Sequence, residues 1–259
     1  MTKILAIANQ KGGVGKTTTS INLGASLAKM GRQVLLVDID PQANATVGLG
    51  VERQDIVYST YSVLLGEINV PDAIIQTESG VDVLASEPSL AGIQVELTDA
   101  KDRDIRLHAA LSVPMKYDYV LVDCPPSLNV LTINALAAAS GVLIPVQCEY
   151  FALEGLSGLL ETFTRVKQSL NPNLVIEGIL RTMFDGRNSL SNEVSEQLKQ
   201  HFGDRVFRTV VPRNVRLAEA PSYGKPAIDY DNNCVGAQAY LALASELIGS
   251  SNTASNDSC

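Results

Sequence analysis

The sequence predicts an α/β fold, a mostly parallel twisted sheet with helices on both faces, and three observations carry that prediction. Seven apolar, β-branched runs recur along the 259 residues without the in–out alternation of a half-wet sheet, as strands covered on both sides require. Segments of helical periodicity separate most of them, the alternation that marks an α/β chain. A glycine-rich loop stands between the first run and the first helical segment, at the edge where such sheets bind ligands.

Taken in chain order, Lys3 to Asn9 reads as the opening strand and Lys16 to Met30 as the first helix, closed by Gly31 as a C′ glycine. Gln33 to Asp40 is the second strand, ended by Pro41. Val81 to Ser86 and Tyr117 to Cys124 follow as short buried strands, then Leu128 to Ala139 as a helix. Gly141 to Gln147 is a strand, and Leu153 to Leu170 a helix stopped by Asn171-Pro172. Leu174 to Met183 and Val206 to Val211 are the last strands, with Leu190 to His201 and Val235 to Ile248 the last helices. No internal repeat and no linker divides the chain, so residues 1–248 are expected to form one domain, and the small polar residues 249–259 a disordered tail.

Composition bounds the function. With 46% hydrophobic and 19% charged residues the chain is neither disordered nor collagen-like nor a disulfide scaffold. No run of about 18 apolar residues occurs and no signal-peptide pattern precedes the first strand, so a cytoplasmic protein without a membrane span is expected. Cys124, Cys148, Cys234 and Cys259 are scattered without ligand spacing and read as free thiols. Twenty Lys+Arg against 28 Asp+Glu give a net charge of −8, which excludes general coating of a polyanion; nucleic-acid binding would need a local patch.

The strongest local signal is Lys11-Gly12-Gly13-Val14-Gly15-Lys16-Thr17-Thr18, directly after a strand and before a helix. Glycines let backbone N–H groups turn toward phosphate oxygens, and the helix N-terminus adds its dipole. Lys16 supplies a point charge for the β- and γ-phosphates, and the Thr17 hydroxyl binds Mg²⁺. An ordinary Walker A loop needs glycine where Gln10 stands, so this loop is a variant with Lys11 at its front. Two acids, Asp38 and Asp40, lie at the end of the second strand and point to the same side if the strand runs to Pro41. Asp123 ends another apolar strand, the Walker B arrangement for holding Mg²⁺, and Pro125-Pro126 stiffen the loop that follows.

Lys-Gly-Gly-Val-Gly-Lys-Thr resembles the loop of the deviant Walker A ATPases, which include ParA/Soj partition proteins, MinD regulators and the nitrogenase iron protein. The resemblance implies an ATPase with ATP and Mg²⁺ as cofactors, acting as a nucleotide-sandwich homodimer in which Lys11 reaches the partner's phosphates. Asp38-Ile39-Asp40-Pro41-Gln42 is similar to the first switch of the ParA branch, implying that Asp40 positions or deprotonates the attacking water beside the metal and that Asp38 supports metal and loop. Val211-Pro212-Arg213-Asn214 through Pro226 is close to the segment of chromosomal ParA/Soj proteins, which makes Pro212, Arg213 and Asn214 candidate adenine contacts; Asn214 also suits a helix N-cap. The likeness runs from about Lys3 to about Ile248.

Between Lys199 and Lys225 there are six Lys/Arg against Asp204 and Glu219, a local reversal of sign. By resemblance, Arg187 and Arg216 match positions that bind duplex DNA without sequence preference, in a nucleoid-associated protein whose hydrolysis a ParB-like centromere-binding partner stimulates. Nothing after Ile248 resembles the basic membrane helix of MinD proteins, the cysteines do not match an iron-protein cluster, and no helix-turn-helix precedes Lys3, so operator binding is not expected. Positioning of a protein cargo, such as a carboxysome or chemosensory cluster, by the same ATPase cycle is the alternative, and an iron–sulfur carrier or reductase a more distant one.

Overall fold

The computed structural model describes residues 2–256, with side chains through residue 249. Eight strands, β1 (Lys3–Ile7), β2 (Val34–Asp38), β3 (Ile74–Ile75), β4 (Val81–Leu84), β5 (Tyr119–Asp123), β6 (Gly141–Gln147), β7 (Val175–Phe184) and β8 (Val206–Pro212), form one sheet in the order β3-β4-β2-β5-β1-β6-β7-β8. All neighbours are parallel except β3, which runs antiparallel to β4. The helices are α1 (Lys16–Lys29), α2 (Asn44–Gly48), α3 (Thr60–Leu65), α4 (Ile93–Glu96), α5 (Arg106–Leu111), α6 (Val130–Ala138), α7 (Ala152–Ser169), α8 (Ser189–Phe202), α9 (Val215–Glu219), α10 (Ala227–Tyr230) and α11 (Val235–Asn256).

Successive strand residues feed two cores, which is why the runs read as continuously apolar. Leu5 and Ile7 of β1, Leu36 of β2 and Leu121 of β5 pack under Ile21 and Leu27 of α1 and Tyr240 and Leu243 of α11. Their neighbours Ala6, Leu35, Val120 and Val122 pack on the opposite face against Leu107, Leu136, Leu156 and Leu198 of α5 to α8. Each Leu, Ile or Val among them, fully withdrawn from water, contributes roughly 1.5–3 kcal/mol.

Two departures from the sequence reading have simple causes. The edge strand β3 has two residues and the helices α2–α5, α9 and α10 are shorter than two turns, too short to print a period on the sequence. And β2 ends at Asp38, before Pro41, because the Asp38 carboxylate accepts the Asp40 N–H (3.1 Å) and pulls the chain out of the ladder. Gly31 closes α1 at φ 77° as expected of a C′ residue. The tail expected from residue 249 coincides with the end of α11, whose helix continues to Asn256; Cys259 and its two predecessors lie outside the described residues. Cys124, Cys148 and Cys234 are buried and free.

Candidate nucleotide site

Residues 8–15 leave the C-terminal end of β1 at the centre of the sheet and turn into α1. Asn9 fixes the start of the loop: its amide donates to Pro145 O (2.8 Å) and its carbonyl oxygen accepts the Lys11 N–H (3.0 Å). Gly13 and Gly15 sit at φ 75° and 86°, the left-handed region that lets successive N–H groups turn inward. Gly15 caps α1 without any side-chain acceptor, and no acid occupies the first turn, so the positive end of the helix is open to an anion. The other side of the loop is tied down by Thr182, whose hydroxyl donates to Val14 O (2.8 Å).

Lys16 is buried, with Nζ donating to Lys11 O at 3.2 Å. Burial pulls its ammonium below the ordinary lysine range, against the attraction of nearby Asp123 and Asp40. Asp123 accepts from Thr17 Oγ1 (2.8 Å) and Ser20 Oγ (2.7 Å). It lies directly opposite Asp38 in the β2–β5 register. Asp38 is fully buried and accepts from both N and Oγ1 of Thr46 (each 2.8 Å), so it anchors the loop that carries Asp40. Burial pushes the Asp38 carboxyl up to about 6 and that of Asp123 up to about 8.

Asp40 stands in the loop between β2 and α2. Its Oδ1 accepts the Gln42 N–H (3.0 Å) and its carbonyl accepts Ser86 Oγ (2.6 Å). The carboxylate faces a groove of about 310 Å³ shared with Pro41, Gln42, Pro125, Pro126 and Asn129, where the two loops leaving β2 and β5 meet. Thr17 and Asp123 supply hard oxygens at one point, which fits Mg²⁺. No group of three or more His, Cys, Asp or Glu among the described residues is arranged to hold a metal, so a cation here would complete its shell from phosphate and water, as Mg²⁺ commonly does.

A cavity of about 400 Å³ runs from Gly15 and Thr18 of the phosphate loop to Pro212, Arg213 and Asn214 at the end of β8. The structure therefore brings these segments, nearly 200 residues apart in sequence, onto one hollow. Asn214 caps α9 by accepting the Arg216 N–H (3.1 Å). Three lining residues escaped the sequence reading: Thr182, Met183 at φ 48°, and Tyr240, whose hydroxyl meets Thr19 Oγ1 at 3.1 Å. No motif marks them, because each is a strand or helix residue chosen by three-dimensional position.

Arg187 and Arg216 lie away from this cavity. Arg187, at the β7–α8 turn, is largely exposed and forks onto Asp185 through Nε and Nη2 (both 2.9 Å), which holds the Asp185 carboxyl down at about 2. Arg216 pairs with Glu219 (2.8 Å) and Asp231 (3.4 Å) and lies over the Tyr230 ring. Arg208 likewise meets Glu246, and Arg213 meets Glu149. The basic segment read from residues 199–225 is thus partly neutralised by Glu219 within it and by Glu149, Asp231 and Glu246 outside it.

A phosphate loop at the central strand, a Lys–Thr–Asp constellation and a base-sized hollow beside it define a P-loop nucleotide-binding protein. A family model described as an AAA domain matches residues 2–176. The chain is 54% identical over 250 residues to the chromosome partitioning protein ParA of Caulobacter vibrioides, covering 95% of this chain and 94% of that one. It is 55% identical over 249 residues to the sporulation initiation inhibitor protein Soj of Bacillus subtilis, covering 95% and 98%. Among solved structures, a Mycobacterium smegmatis protein described as cobyrinic acid a,c-diamide synthase, with an ATP analogue and magnesium bound, superposes with a TM-score of 0.85 at 38% identity, covering 96% of this chain and 94% of that one. The chain belongs to the ParA/Soj family of partitioning ATPases.

Proposed function

We propose that this chain is a DNA-segregation ATPase: loaded with Mg²⁺ and ATP it pairs into a sandwich homodimer, binds duplex DNA without sequence preference, and lets go after hydrolysis stimulated by a ParB-like centromere-binding protein. The observation that carries the reading is the convergence of Lys16, Thr17, Asp123 and Asp40 at one sheet edge, with Lys11 at the front of the loop, in a chain about half identical to proteins named for chromosome partitioning.

In this reading the open N–H groups of α1 and the ammonium of Lys16 bind the β- and γ-phosphates. Thr17 and Asp123 hold Mg²⁺, with Asp40 beside it; the ion's contribution is to neutralise charge on the phosphate oxygens. Asp40 orients a water molecule and takes its proton on a carboxylate oxygen. Pro212, Arg213 and Asn214 contact the adenine, with Gly12, Gly13 and Val14 wrapping the phosphates and Thr18 beneath them. Phosphoryl transfer needs little covalent help from protein, so a cation that arrives only with the second copy, Lys11, would make turnover slow and pairing-dependent. Arg187 and Arg216, doubled across the dimer, would give DNA binding that ATP gates by holding the dimer together. No helix among the described residues is long and apolar enough to cross a membrane, in keeping with a cytoplasmic, nucleoid-associated role.

DNA co-sedimentation at moderate salt tests this, with ADP, with ATP, and with ATP on Asp40→Ala, beside anionic liposomes. Binding seen only with ATP, kept by the variant and absent from liposomes is expected. DNA binding that ignores the nucleotide would overturn the switch, and undiminished ATP hydrolysis by Asp40→Ala would overturn the role given to Asp40.

A further inference from the structure

Glu149 lies between β6 and α7, and its carboxylate is where two cations of the proposed reaction meet. Oε2 is 3.2 Å from Lys11 Nζ, and Oε1 is 3.8 Å from Arg213 Nη2. The Gln147 side-chain amide also donates to Oε1. The start of α7 presses on the front of the phosphate loop: a Cβ at Gly155 would stand 3.6 Å from Lys11 Cβ. Lys11 is thereby turned back on its own chain, although it stands at the loop's outer face. Directly after Glu149, Tyr150 and Phe151 form an edge-to-face pair with centroids 5.0 Å apart, 76% and 58% exposed. Two large aromatic rings are thus left in water beside a charged pair, the kind of surface that binding partners commonly cover.

We propose that Glu149 is a positioning residue that holds Lys11 on its own subunit until the nucleotide of a second copy takes it, and so sets the threshold for pairing. This rests on the reading that Lys11 acts across a dimer. The Lys11 and Glu149 side chains are 31% and 48% exposed, and a pair so wet is weak enough to be broken by a competing polyphosphate of higher charge. Because Arg213 shares the same carboxylate, the rim of the base cavity and the front of the phosphate loop are tied to one group. A nucleotide that engages Arg213 loosens one of the two cations from Glu149 before a second copy arrives.

The test removes the charge and keeps the shape with Glu149→Gln. In the nucleotide-free chain, acetylation of Lys11 followed by mass spectrometry, normalised to Lys225, should run about two- to five-fold faster in the variant, the worth of a half-exposed ion pair. In an Asp40→Ala background, which keeps ATP intact, sedimentation velocity should show the dimer dissociation constant falling by the square of that factor, about four- to twenty-five-fold, since each dimer breaks two such contacts. With ADP neither form should pair. Unchanged labelling of Lys11, or a dimer constant that is unchanged or weaker in Glu149→Gln, overturns the assignment. Failure of the Glu149-containing protein itself to pair with ATP overturns instead the reading of Lys11 as a residue that acts across a dimer. Equal melting temperatures for the two proteins exclude a folding effect.

Discussion

Asp38 and Asp123 sit side by side at the ends of β2 and β5, both sealed from water, and the folded chain handles them as acids that are reluctant to ionise. Unfolded carboxylates lose their protons near pH 4. Both folded values lie above that, so between them the native chain holds protons that the unfolded chain has released, and stability declines as pH rises. For protein free of nucleotide and metal, the urea midpoint should therefore fall between about pH 5 and about pH 8.5. Asp38→Asn should flatten that slope; an equally steep decline in the variant would show that Asp38 does not carry it. Sequence alone marked both carboxylates, because strand-end acids after apolar runs are a local pattern. It did not reveal that Asp38 is spent on Thr46 and Asp40, nor that Lys11 is held by Glu149, 138 positions away, since such pairings exist only once the chain is folded.

At the scale of elements, the long ones were legible and the short ones were not. The apolar strands and the helices α1, α6, α7, α8 and α11 are long enough to show a period. The turns between residues 44 and 111, and those around α9 and α10, are ordered by tertiary contacts that leave no periodic trace. One such contact joins two loops: Gly50 at φ 82° and Gly224 at φ 62° cross so closely that a Cβ on Gly224 would lie 2.7 Å from Gly50 Cα. Neither backbone can step aside like a side chain, so Gly224→Ala combines a left-handed strain with a direct collision. It should cost roughly 1–3 kcal/mol in denaturant unfolding. Gly31→Ala, with a similar φ of 77° but open space around its Cβ, should cost only about 1 kcal/mol. Equal losses would show that the crossing is softer than its geometry.

For the whole molecule, the proposed function asks an acidic chain of net charge −8 to meet DNA through a few arginines already engaged with carboxylates. On that reading a DNA phosphate would have to displace Asp185 from Arg187, and Glu219 and Asp231 from Arg216. Each phosphate contact steepens the dependence of log affinity on log salt by about 0.9. Arg216→Ala, which removes one arginine from each half of a dimer, should lower that slope by about two in anisotropy titrations with ATP, over roughly 50–200 mM salt. An unchanged slope would take Arg216 out of the interface. The sheet that supports all this places β1 between two wings. On one side, β2 and β5 end in the acids Asp38 and Asp123; on the other, β7 and β8 carry Thr182, Met183 and Pro212 along the cavity of about 400 Å³. On the proposed function, changes at residues 38–46 and 123–129 would alter turnover at a distance from the base cavity, whereas changes at Thr182 or Arg213 would reach the phosphate loop as well, through Val14 and through Glu149. On that reading the clock of this molecule can be reset while its fuel stays the same, but a change of fuel would also touch the clock.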